Sequence, residues 1–445
     1  MKNAPALVLL LGFWAFTAAG PLRADEPPLP LGDEILIPDV TAGDQSAPEV
    51  SSSYEGDFVA VWQSSGADGD GFGILAQLFA LDGNEVGFPF PINSTVAGDQ
   101  TRPAVGADDS GDFAVAWQSP DGDGTGIFAR RYDESGVPDT AELPVNTTTA
   151  GAQSRPSVAA AENRNFLVVW QGPDGSSDGI WARLFDRHGV ALTGELLINT
   201  TTTGSQTNPQ VRAFDETDGY FVVWEGPDAN GTGIYLRQVS SVGVPLGSEA
   251  PVNDVVAGNQ RNAAVAVSGI DNDQLDRNIF VVAWQSPDSA GNGIWARVFD
   301  DNLTPIGPAQ LVNDDDLNDQ TEPAVAIDNG EDSDGINFVV TWTEAPILGR
   351  GSPIFIRGRR LGGLPPARGG NRGAATAEFA VSVNGGTTAA SAVATEDNGD
   401  FVAIWQSLGQ DGSGEGVYGR RFAGQPIFVD GFESGDSSRW SATVP

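Results

Sequence analysis

F-L-V-V-W-Q, from Phe166 to Gln171, is followed across a short acidic turn by G-I-W-A-R-L-F-D, from Gly179 to Asp186. P-S-V-A-A (Pro156 to Ala160) precedes this pair, and E-L-L-I-N (Glu195 to Asn199) follows it. These four short runs are rich in β-branched and aromatic residues, and Gly, Asp, Asn and Ser separate them. The pattern predicts four strands joined by tight turns, an antiparallel meander.

The same unit occurs seven times along the chain. Each copy carries a tryptophan at the end of its second apolar run, and the intervals between tryptophans are 53 to 63 residues. The seven are Trp62, Trp117, Trp170, Trp224, Trp284, Trp342 and Trp405. A constant period of this length indicates supersecondary units that bury their apolar faces against one another.

The second run of each unit is apolar on both faces, whereas a strand with one wet face would alternate apolar and polar residues. Each small sheet must therefore be covered on both sides, which predicts an all-β, seven-bladed β-propeller of four-stranded antiparallel blades. The segment Glu34 to Pro38 matches the end of a unit, so we expect this N-terminal strand to complete the last blade and close the ring. An open solenoid or two stacked sandwiches would need polar capping repeats, and we find none.

Residues 1–24 have the pattern of a secretory signal peptide: Lys2, an apolar run from Ala6 to Ala19, and cleavage after Ala24. We expect residues 25–426 to form the propeller and residues 427–445 to form a short tail. The mature protein is predicted to be secreted or periplasmic, without membrane insertion, and monomeric.

The charge of the mature chain limits its partners. After Ala24 the sequence has 60 acidic residues, 21 arginines and no lysine, a formal net charge of −39 (21 − 60). The negative electrostatic potential of such a chain repels nucleic acid, which proteins bind through Lys and Arg. An extracellular glycan, a protein surface or a cation remains as a partner.

Acidic residues are concentrated in the turn after each tryptophan. Two acids, or an acid and an amide, one residue apart with glycine beside them can bring oxygen ligands around Ca²⁺. The candidate ligands are Asp68, Asp70, Asp121, Asp123, Asp228 and Asn230. The competing interpretation is that Asp-Gly and Asn-Gly simply form hairpin turns.

In a four-stranded blade, the turn between strands two and three and the crossing to the next blade lie on the same face of the ring. Each crossing begins with Asn and ends with Gln, as in Asn146 to Gln153, and we expect these side chains to cap the loop's own backbone. An arginine recurs on the third strand and is expected to bond a carboxylate or carbonyl of the neighbouring blade. These arginines are assigned as Arg130, Arg183, Arg237, Arg297, Arg357 and Arg420.

The composition excludes several kinds of catalysis. Without cysteine or mature lysine, and with His188 as the only histidine, thiol nucleophiles, Schiff bases and multi-histidine metal sites are ruled out. The composition is compatible with a glycoside hydrolase that uses a carboxylate pair. No carboxylate stands out as unique to one unit, so we predict no catalytic residue.

Residues 31–422 resemble the repeat arrays of secreted bacterial proteins whose units read F-V-V-x-W-Q-S-P-D-G-D-G-x-G-I-x-A-R-x-F-D and end V-N-T-T-T-x-G-x-Q. Phe113 to Asp133 and Val145 to Gln153 carry the fullest match. The resemblance implies a propeller-like fold and export, with no assigned activity. We therefore expect a noncatalytic binding or surface-interaction protein, with a carboxylate glycosidase or an extracellular matrix component as the alternatives.

Overall fold

The computed structural model describes residues 27–37, 42–214, 219–268, 278–289, 291–314, 318–328, 337–346, 354–362, 375–384, 387–396, 398–412 and 414–424. The predicted signal peptide and tail lie outside these ranges. Among the described residues, no helix has the length and hydropathy needed to cross a membrane.

The strands form seven antiparallel sheets, which we number as blades. β1 is Ile35–Leu36. Blade 1 comprises β2 (Gln45–Ser52), β3 (Phe58–Ser65), β4 (Phe72–Phe79) and β5 (Glu85–Pro91). Blade 2 comprises β6 (Thr101–Ala107), β7 (Phe113–Pro120), β8 (Thr125–Tyr132) and β9 (Leu143–Pro144). Blade 3 comprises β10 (Ser154–Ala160), β11 (Phe166–Pro173), β12 (Asp178–Phe185) and β13 (Leu196–Leu197).

Blade 4 comprises β14 (Thr207–Ala213), β15 (Tyr220–Pro227), β16 (Gly231–Val239) and β17 (Pro245–Pro251), and the short β18 (Gly258–Asn259) adds a parallel pairing to β16. Blade 5 comprises β19 (Arg261–Ser268), β20 (Ile279–Pro287), β21 (Asn292–Asp300) and β22 (Gln310–Leu311). Blade 6 comprises β23 (Asn318–Ile327), β24 (Phe338–Pro346), β25 (Phe355–Leu361) and β26 (Phe379–Ala380). Blade 7 comprises β27 (Thr387–Thr395), β28 (Phe401–Leu408) and β29 (Glu415–Phe422), completed by β1.

The ring is closed by the N-terminal strand, as the sequence predicts. Ile35 pairs with Gly419 and Leu36 with Tyr418, antiparallel, so β1 is the fourth strand of blade 7. The backbone N–H of Leu31 also donates to the carbonyl of Arg421 (2.9 Å). Pairing of β1 with β29 gives blade 7 the four strands that the other blades have, built from both the first and the last part of the ring. The all-β, seven-bladed propeller is confirmed.

The core lies between the blades. Seven apolar clusters alternate with the seven sheets, and each cluster combines side chains of two neighbouring blades. All seven repeat tryptophans are buried. Burying one Val, Leu, Ile or Phe side chain stabilises the fold by roughly 1.5–3 kcal/mol, so these shared clusters hold the ring together without disulfides.

Two polar contacts repeat between neighbouring blades. Nη1 of Arg130, in blade 2, donates to the carbonyl of Ile92 in blade 1 (3.1 Å). The carboxylate of Glu142, which precedes β9, accepts the backbone N–H of Ser94 (2.6 Å) and of Thr95 (3.1 Å). Equivalent arginine contacts come from Arg183, Arg237, Arg297 and Arg359, and equivalent glutamate contacts from Glu195, Glu249, Glu378 and Glu34.

Candidate functional site

The acidic turns and the crossings meet on one face of the ring, which we call the loop face. The carboxylate of Asp70 accepts the N–H of Gly98 (3.2 Å), and that of Asp99 accepts the N–H of Phe72 (3.0 Å). Turn and crossing thus contact each other directly, as the predicted strand order requires.

The first aspartate of each candidate calcium loop folds back on its own turn. Oδ1 of Asp68 accepts the N–H of Asp70 (3.3 Å), Oδ1 of Asp121 that of Asp123 (3.1 Å), and Oδ1 of Asp228 that of Asn230 (2.8 Å). These are the local bonds by which Asp stabilises a turn. They account for the Asp-Gly pattern in terms of turn formation.

The second oxygen of these aspartates packs against a strand glycine. Oδ2 of Asp121 would lie 2.9 Å from a Cβ built on Gly126, which explains why glycine precedes isoleucine in the unit. In blade 1, Oδ2 of Asp68 accepts Nδ2 of Asn93 (2.8 Å). Within the described part of the chain, no three or more Asp, Glu or His side chains converge as metal ligands would. Calcium binding stays a prediction.

The amides of the crossings hold the loops in shape. Asn146 accepts the N–H of Ile127 at Oδ1 (2.6 Å) and donates from Nδ2 to the carbonyl of Thr148 (3.0 Å) and to Oε1 of Gln153 (3.1 Å). Asn93, Asn199 and Asn253 make the same set of bonds. The predicted capping role is confirmed, and these buried amides are committed to the fold.

The arginines of the third strand also have a structural role, as predicted, but one of them was assigned incorrectly. In blade 6 Val340 pairs with Arg359, and Arg359 donates to the carbonyls of Val312 (2.6 Å) and Thr376 (2.9 Å). Arg357 pairs with Trp342, where blade 1 has Leu75 and the other blades have an aromatic residue. The sixth unit lacks the Asp-Gly turn and has a longer connection there, so Arg359 follows Trp342 by 17 residues, whereas Arg130 follows Trp117 by 13.

The innermost strand of every blade contains a β-bulge whose central residue has a left-handed backbone. Their φ angles lie between 50° and 54°, a region that costs a residue other than glycine about 1–2 kcal/mol. These bulge residues are Ala47, Arg102, Arg155, Asn208, Asn262, Glu322 and Ala390.

In most blades the side chain that follows the tryptophan, a glutamine or Glu225, holds the bulge of the next blade. The N–H of Arg102 donates to Oε1 of Gln63 (2.9 Å), and the N–H of Arg155 to Oε1 of Gln118 (2.9 Å). In blade 7 the N–H of Ala390 instead donates to Glu322 (3.2 Å). Thr343 follows Trp342 in the preceding blade and replaces the glutamine. The residue pattern within one unit does not predict this contact between blades.

The seven bulge residues surround a cavity of about 290 Å³ at the centre of the loop face, which we call the vestibule. Five charged side chains line it: Arg102, Arg155, Arg212, Glu49 and Glu322. The vestibule is at the lower end of the size range of ligand pockets, roughly 300–1,000 Å³.

Two of these charges occupy positions where the other blades have small or uncharged residues. Two residues after the bulge the blades have Glu49, Ala104, Ser157, Gln210, Ala264, Ala324 and Ala392. Four residues after it they have Ser51, Gly106, Ala159, Arg212, Ala266, Ala326 and Ala394. Our expectation that no carboxylate is unique to one unit is wrong for Glu49. Aligning the first strands on their common valine would have identified Glu49.

Glu49 and Arg212 come from blades 1 and 4 and influence each other inside the ring. Burial raises the pKa of Glu49 to about 7, and the opposing charge of Arg212 limits the rise. Burial lowers the pKa of Arg212, against the effect of Glu49. Arg212 also lines a second cavity of about 190 Å³, which contains Asp108, Glu162 and Glu396. Arg212 therefore lies between the vestibule and this second cavity, which form the two ends of a channel along the axis of the ring.

Arg102 and Arg155 occupy equivalent bulge positions in neighbouring blades. Partial burial lowers the pKa of Arg102, and the charge of Arg155 lowers it further. Among the residues that the structure describes, neither side chain donates a hydrogen bond or forms an ion pair. Two like charges that perturb each other without a counter-ion in a concave site are a candidate functional feature.

No protein-family model matches the chain, and no curated protein matches it in sequence. A protein of unknown function from Dyadobacter fermentans is 12% identical, with a TM-score of 0.47 over 88% of this chain and 98% of that chain. The β-propeller domain of the trilobed protease from Pyrococcus furiosus is 10% identical, with a TM-score of 0.45 over 89% and 98%. The phage phi92 endosialidase is 10% identical, with a TM-score of 0.49 over 93% and 72%. Such likeness concerns the propeller fold and says nothing about activity.

Proposed function

We propose that this protein is a noncatalytic binding protein that receives part of its ligand in the vestibule. One observation carries the proposal: Glu49 and Arg212 replace small or uncharged residues at the centre of an otherwise regular ring, facing a cavity. In a repeat protein, regular positions build the scaffold, so charged departures that converge on a cavity point to function.

The other polar features of the loop face have structural partners. The Asn and Gln side chains cap crossings, and the first Asp of the acidic turns accepts backbone N–H groups of its own turn. Glutamates such as Glu195 accept N–H groups of the preceding blade. In the vestibule, Glu322 also has a structural role because it accepts the N–H of Ala390, whereas the side chains of Arg102 and Arg155 contact no hydrogen-bond partner among the described residues.

The ligand proposed is an extracellular glycan or a group on a protein surface, because we expect the mature chain to be exported. The ring of acidic turns around the vestibule is the proposed place for Ca²⁺, which would lower the negative charge that an approaching ligand meets. The vestibule can bind a ligand without bound Ca²⁺ and without the ligand belonging to either of these classes.

Hydrogen exchange tests the proposal. A panel of glycans and small acids is first screened by thermal shift, and exchange is then measured with each compound that stabilises the chain. We expect protection at the starts of β2, β6, β10 and β14. Arg212→Gln should weaken binding, whereas Glu55→Gln, an exposed residue on the opposite face, should not. Protection confined to that opposite face would refute the proposal.

A carboxylate glycosidase is the second candidate, because Glu49 and Glu322 share the vestibule and burial gives Glu49 a pKa of about 7. A carboxylic acid with a raised pKa is what a glycosidase needs as its general acid. His188 is exposed in a turn and contacts Arg187, so it is not placed to act as a base. Turnover of a chromogenic glycoside, abolished by Glu49→Gln, would favour this candidate over simple binding.

A further inference from the structure

The arginines of the described residues can be grouped by the atoms that their side chains contact. Those of the third strands bond backbone carbonyls, as Arg183 bonds Val145. Three others, Arg131, Arg360 and Arg421, pair with carboxylates inside their blades. Among the described residues, the side chains of four further arginines donate no hydrogen bond and form no ion pair: Arg102, Arg155, Arg164 and Arg261. Of these four, only Arg102 and Arg155 line the vestibule, so two guanidinium groups without a counter-ion face one cavity.

We propose that Arg102 and Arg155 together bind one oxyanion group, a carboxylate, sulfate or phosphate, carried by the ligand of the vestibule. The proposal rests on the proposed binding function and specifies the chemistry of the ligand. A planar guanidinium presents paired N–H donors that match two oxygens of such a group, and two arginines can hold it from two sides.

The backbone places the two side chains for this role. Both arginines stand at bulges of nearly equal φ, 52° and 53°, and both bulges are held by a glutamine of the preceding blade. The two Cα atoms are thus in equivalent positions on adjacent blades and face the same cavity. Because the bulges are part of the ring, the backbone positions of both arginines are fixed before the ligand arrives, which reduces the entropy cost of binding.

The mutual repulsion of the two arginines supports the same conclusion. The charge of Arg155 lowers the pKa of Arg102, so the two groups are close enough to disfavour each other's charge. An oxyanion between them would relieve this repulsion. The gain would be lost if either arginine were replaced by a neutral residue.

The surrounding charge limits the ligand to one anionic group. The net charge of the mature chain is −39 (21 − 60), and at physiological ionic strength charges interact over about 8 Å. A polyanion crossing the loop face would meet the acidic turns before it reached the arginines. A small ligand with one anionic group, such as an acidic sugar, can reach the arginines inside the vestibule without extending across the acidic turns.

The experiment is isothermal titration calorimetry of the mature protein with glucuronate, sulfate and phosphate, at constant ionic strength set with chloride. Glucose serves as the neutral analogue of glucuronate. We expect measurable binding of at least one anion and a loss of affinity of about tenfold or more in Arg102→Gln and Arg155→Gln. Arg187→Gln, an exposed arginine on the opposite face, is the matched control and should bind like the wild type. Arg102→Lys, which keeps the charge without the paired donors, should fall between.

The three anions distinguish the sources of the group. Preference for glucuronate would assign a carboxylated sugar, and preference for sulfate or phosphate would assign a sulfated or phosphorylated one. Equal affinities in the wild type and both Gln variants would overturn the proposal, as would failure of all three anions to bind. In either case, protection of the vestibule by a neutral ligand would leave the proposed binding function standing. Circular dichroism of each variant confirms that the ring has folded.

Discussion

Arg131 and Asp108 form an ion pair inside blade 2, with 3.2 Å between Nη2 and Oδ2 and side-chain exposures of 1% and 2%. Arg131 also contacts Asp112 (2.9 Å) and Asp139. The same two positions hold Arg360 with Asp328 in blade 6 and Arg421 with Glu396 in blade 7. Blade 3 has Leu184 and Ala161 there instead. The acid occurs only with the arginine, so the pair behaves as one exchangeable unit of the repeat.

We expect Arg131→Leu to destabilise the protein by about 3–5 kcal/mol, because it leaves buried carboxylates without their counter-charge. Burial already raises the pKa of Asp108, despite the hydrogen bond from Ser110 and the charge of Arg131. The double variant Arg131→Leu with Asp108→Ala reproduces the neutral pair of blade 3 and should recover part of the loss. Urea unfolding measures both. A double variant no more stable than the single one would show that the pair is not exchangeable.

Glu195 should stabilise the ring only above its own pKa. Burial acts to raise that pKa, but hydrogen bonds from Thr148 and Thr147 outweigh burial and lower it. The folded-state pKa is therefore below the unfolded one, so the contribution is present above about pH 4.3 and is lost as the pH falls through the folded value. Glu195→Gln should cost a few tenths to about 1 kcal/mol at pH 7, discounted for partial exposure.

Thermal unfolding between pH 3 and pH 7 checks this expectation. The difference between the wild type and Glu195→Gln should shrink as the pH falls. Glu134→Gln, an exposed glutamate, is the control and should change little at any pH. A difference that is independent of pH would mean that the carboxylate charge at position 195 has no part in the contact.

Asn146→Ala should destabilise the chain by about 1–3 kcal/mol, because the N–H of Ile127 would be left buried without an acceptor. Asn146→Asp keeps that acceptor but loses the two hydrogen bonds that Nδ2 donates. Comparing the losses of stability in the two variants shows whether the Oδ1 bond or the Nδ2 bonds contribute more. Chemical denaturation gives the values. An unchanged unfolding free energy for the alanine variant would argue that water replaces the amide at this crossing.

Glu49 predicts the opposite pH dependence from Glu195. Its folded-state pKa of about 7 lies above the unfolded value, so ionisation favours unfolding, and stability falls as the pH rises from about 4.3 through 7. The charges that face it are Arg212 across the channel and Arg102, Arg155 and Glu322 in the vestibule. Glu49→Gln should match the wild type near pH 4 and exceed it at pH 8, as measured by melting temperature. Glu55→Gln is the control, and parallel pH profiles of wild type and Glu49→Gln would contradict the assignment.

Calcium is tested by thermal unfolding in chelator, in millimolar Ca²⁺ and in millimolar Mg²⁺. Occupation of one site at 100 times its Kd adds about 2.7 kcal/mol, so several occupied turns should raise the melting temperature by many degrees. Asp121→Asn with Asp123→Asn should reduce a calcium-specific rise. Equal effects of the two cations would assign the acidic turns to backbone geometry and general charge screening alone.

Much of the fold could be predicted because the apolar pattern of each repeat shows which of its faces must be buried. An apolar run such as Phe166 to Trp170 must be covered on both faces, and only neighbouring copies of the unit can cover it. The partial unit around Ile35 predicted ring closure by the same logic. Local roles were equally predictable: Asn146 caps the crossing in which it stands.

Contacts between blades could not be predicted in this way. Gln118 follows a core tryptophan, but its acceptor oxygen serves Arg155, 37 residues further along the chain. The arginine of blade 6 was placed two residues early, because the register of a strand depends on its pairing and unit six changes the length of the turn before it. Residue spacing alone does not report either effect.

The sequence by itself determined the number of blades, the strand order, the closure of the ring and the turn chemistry of the acidic loops. These depend on local patterning and on burial, which act over the length of one unit. Only the tertiary structure decided which charges share a cavity: Glu49, Arg102, Arg155, Arg212 and Glu322 come from five different blades and meet because the innermost strands surround one axis. Convergence of this kind is a property of the closed ring, and no single unit carries it.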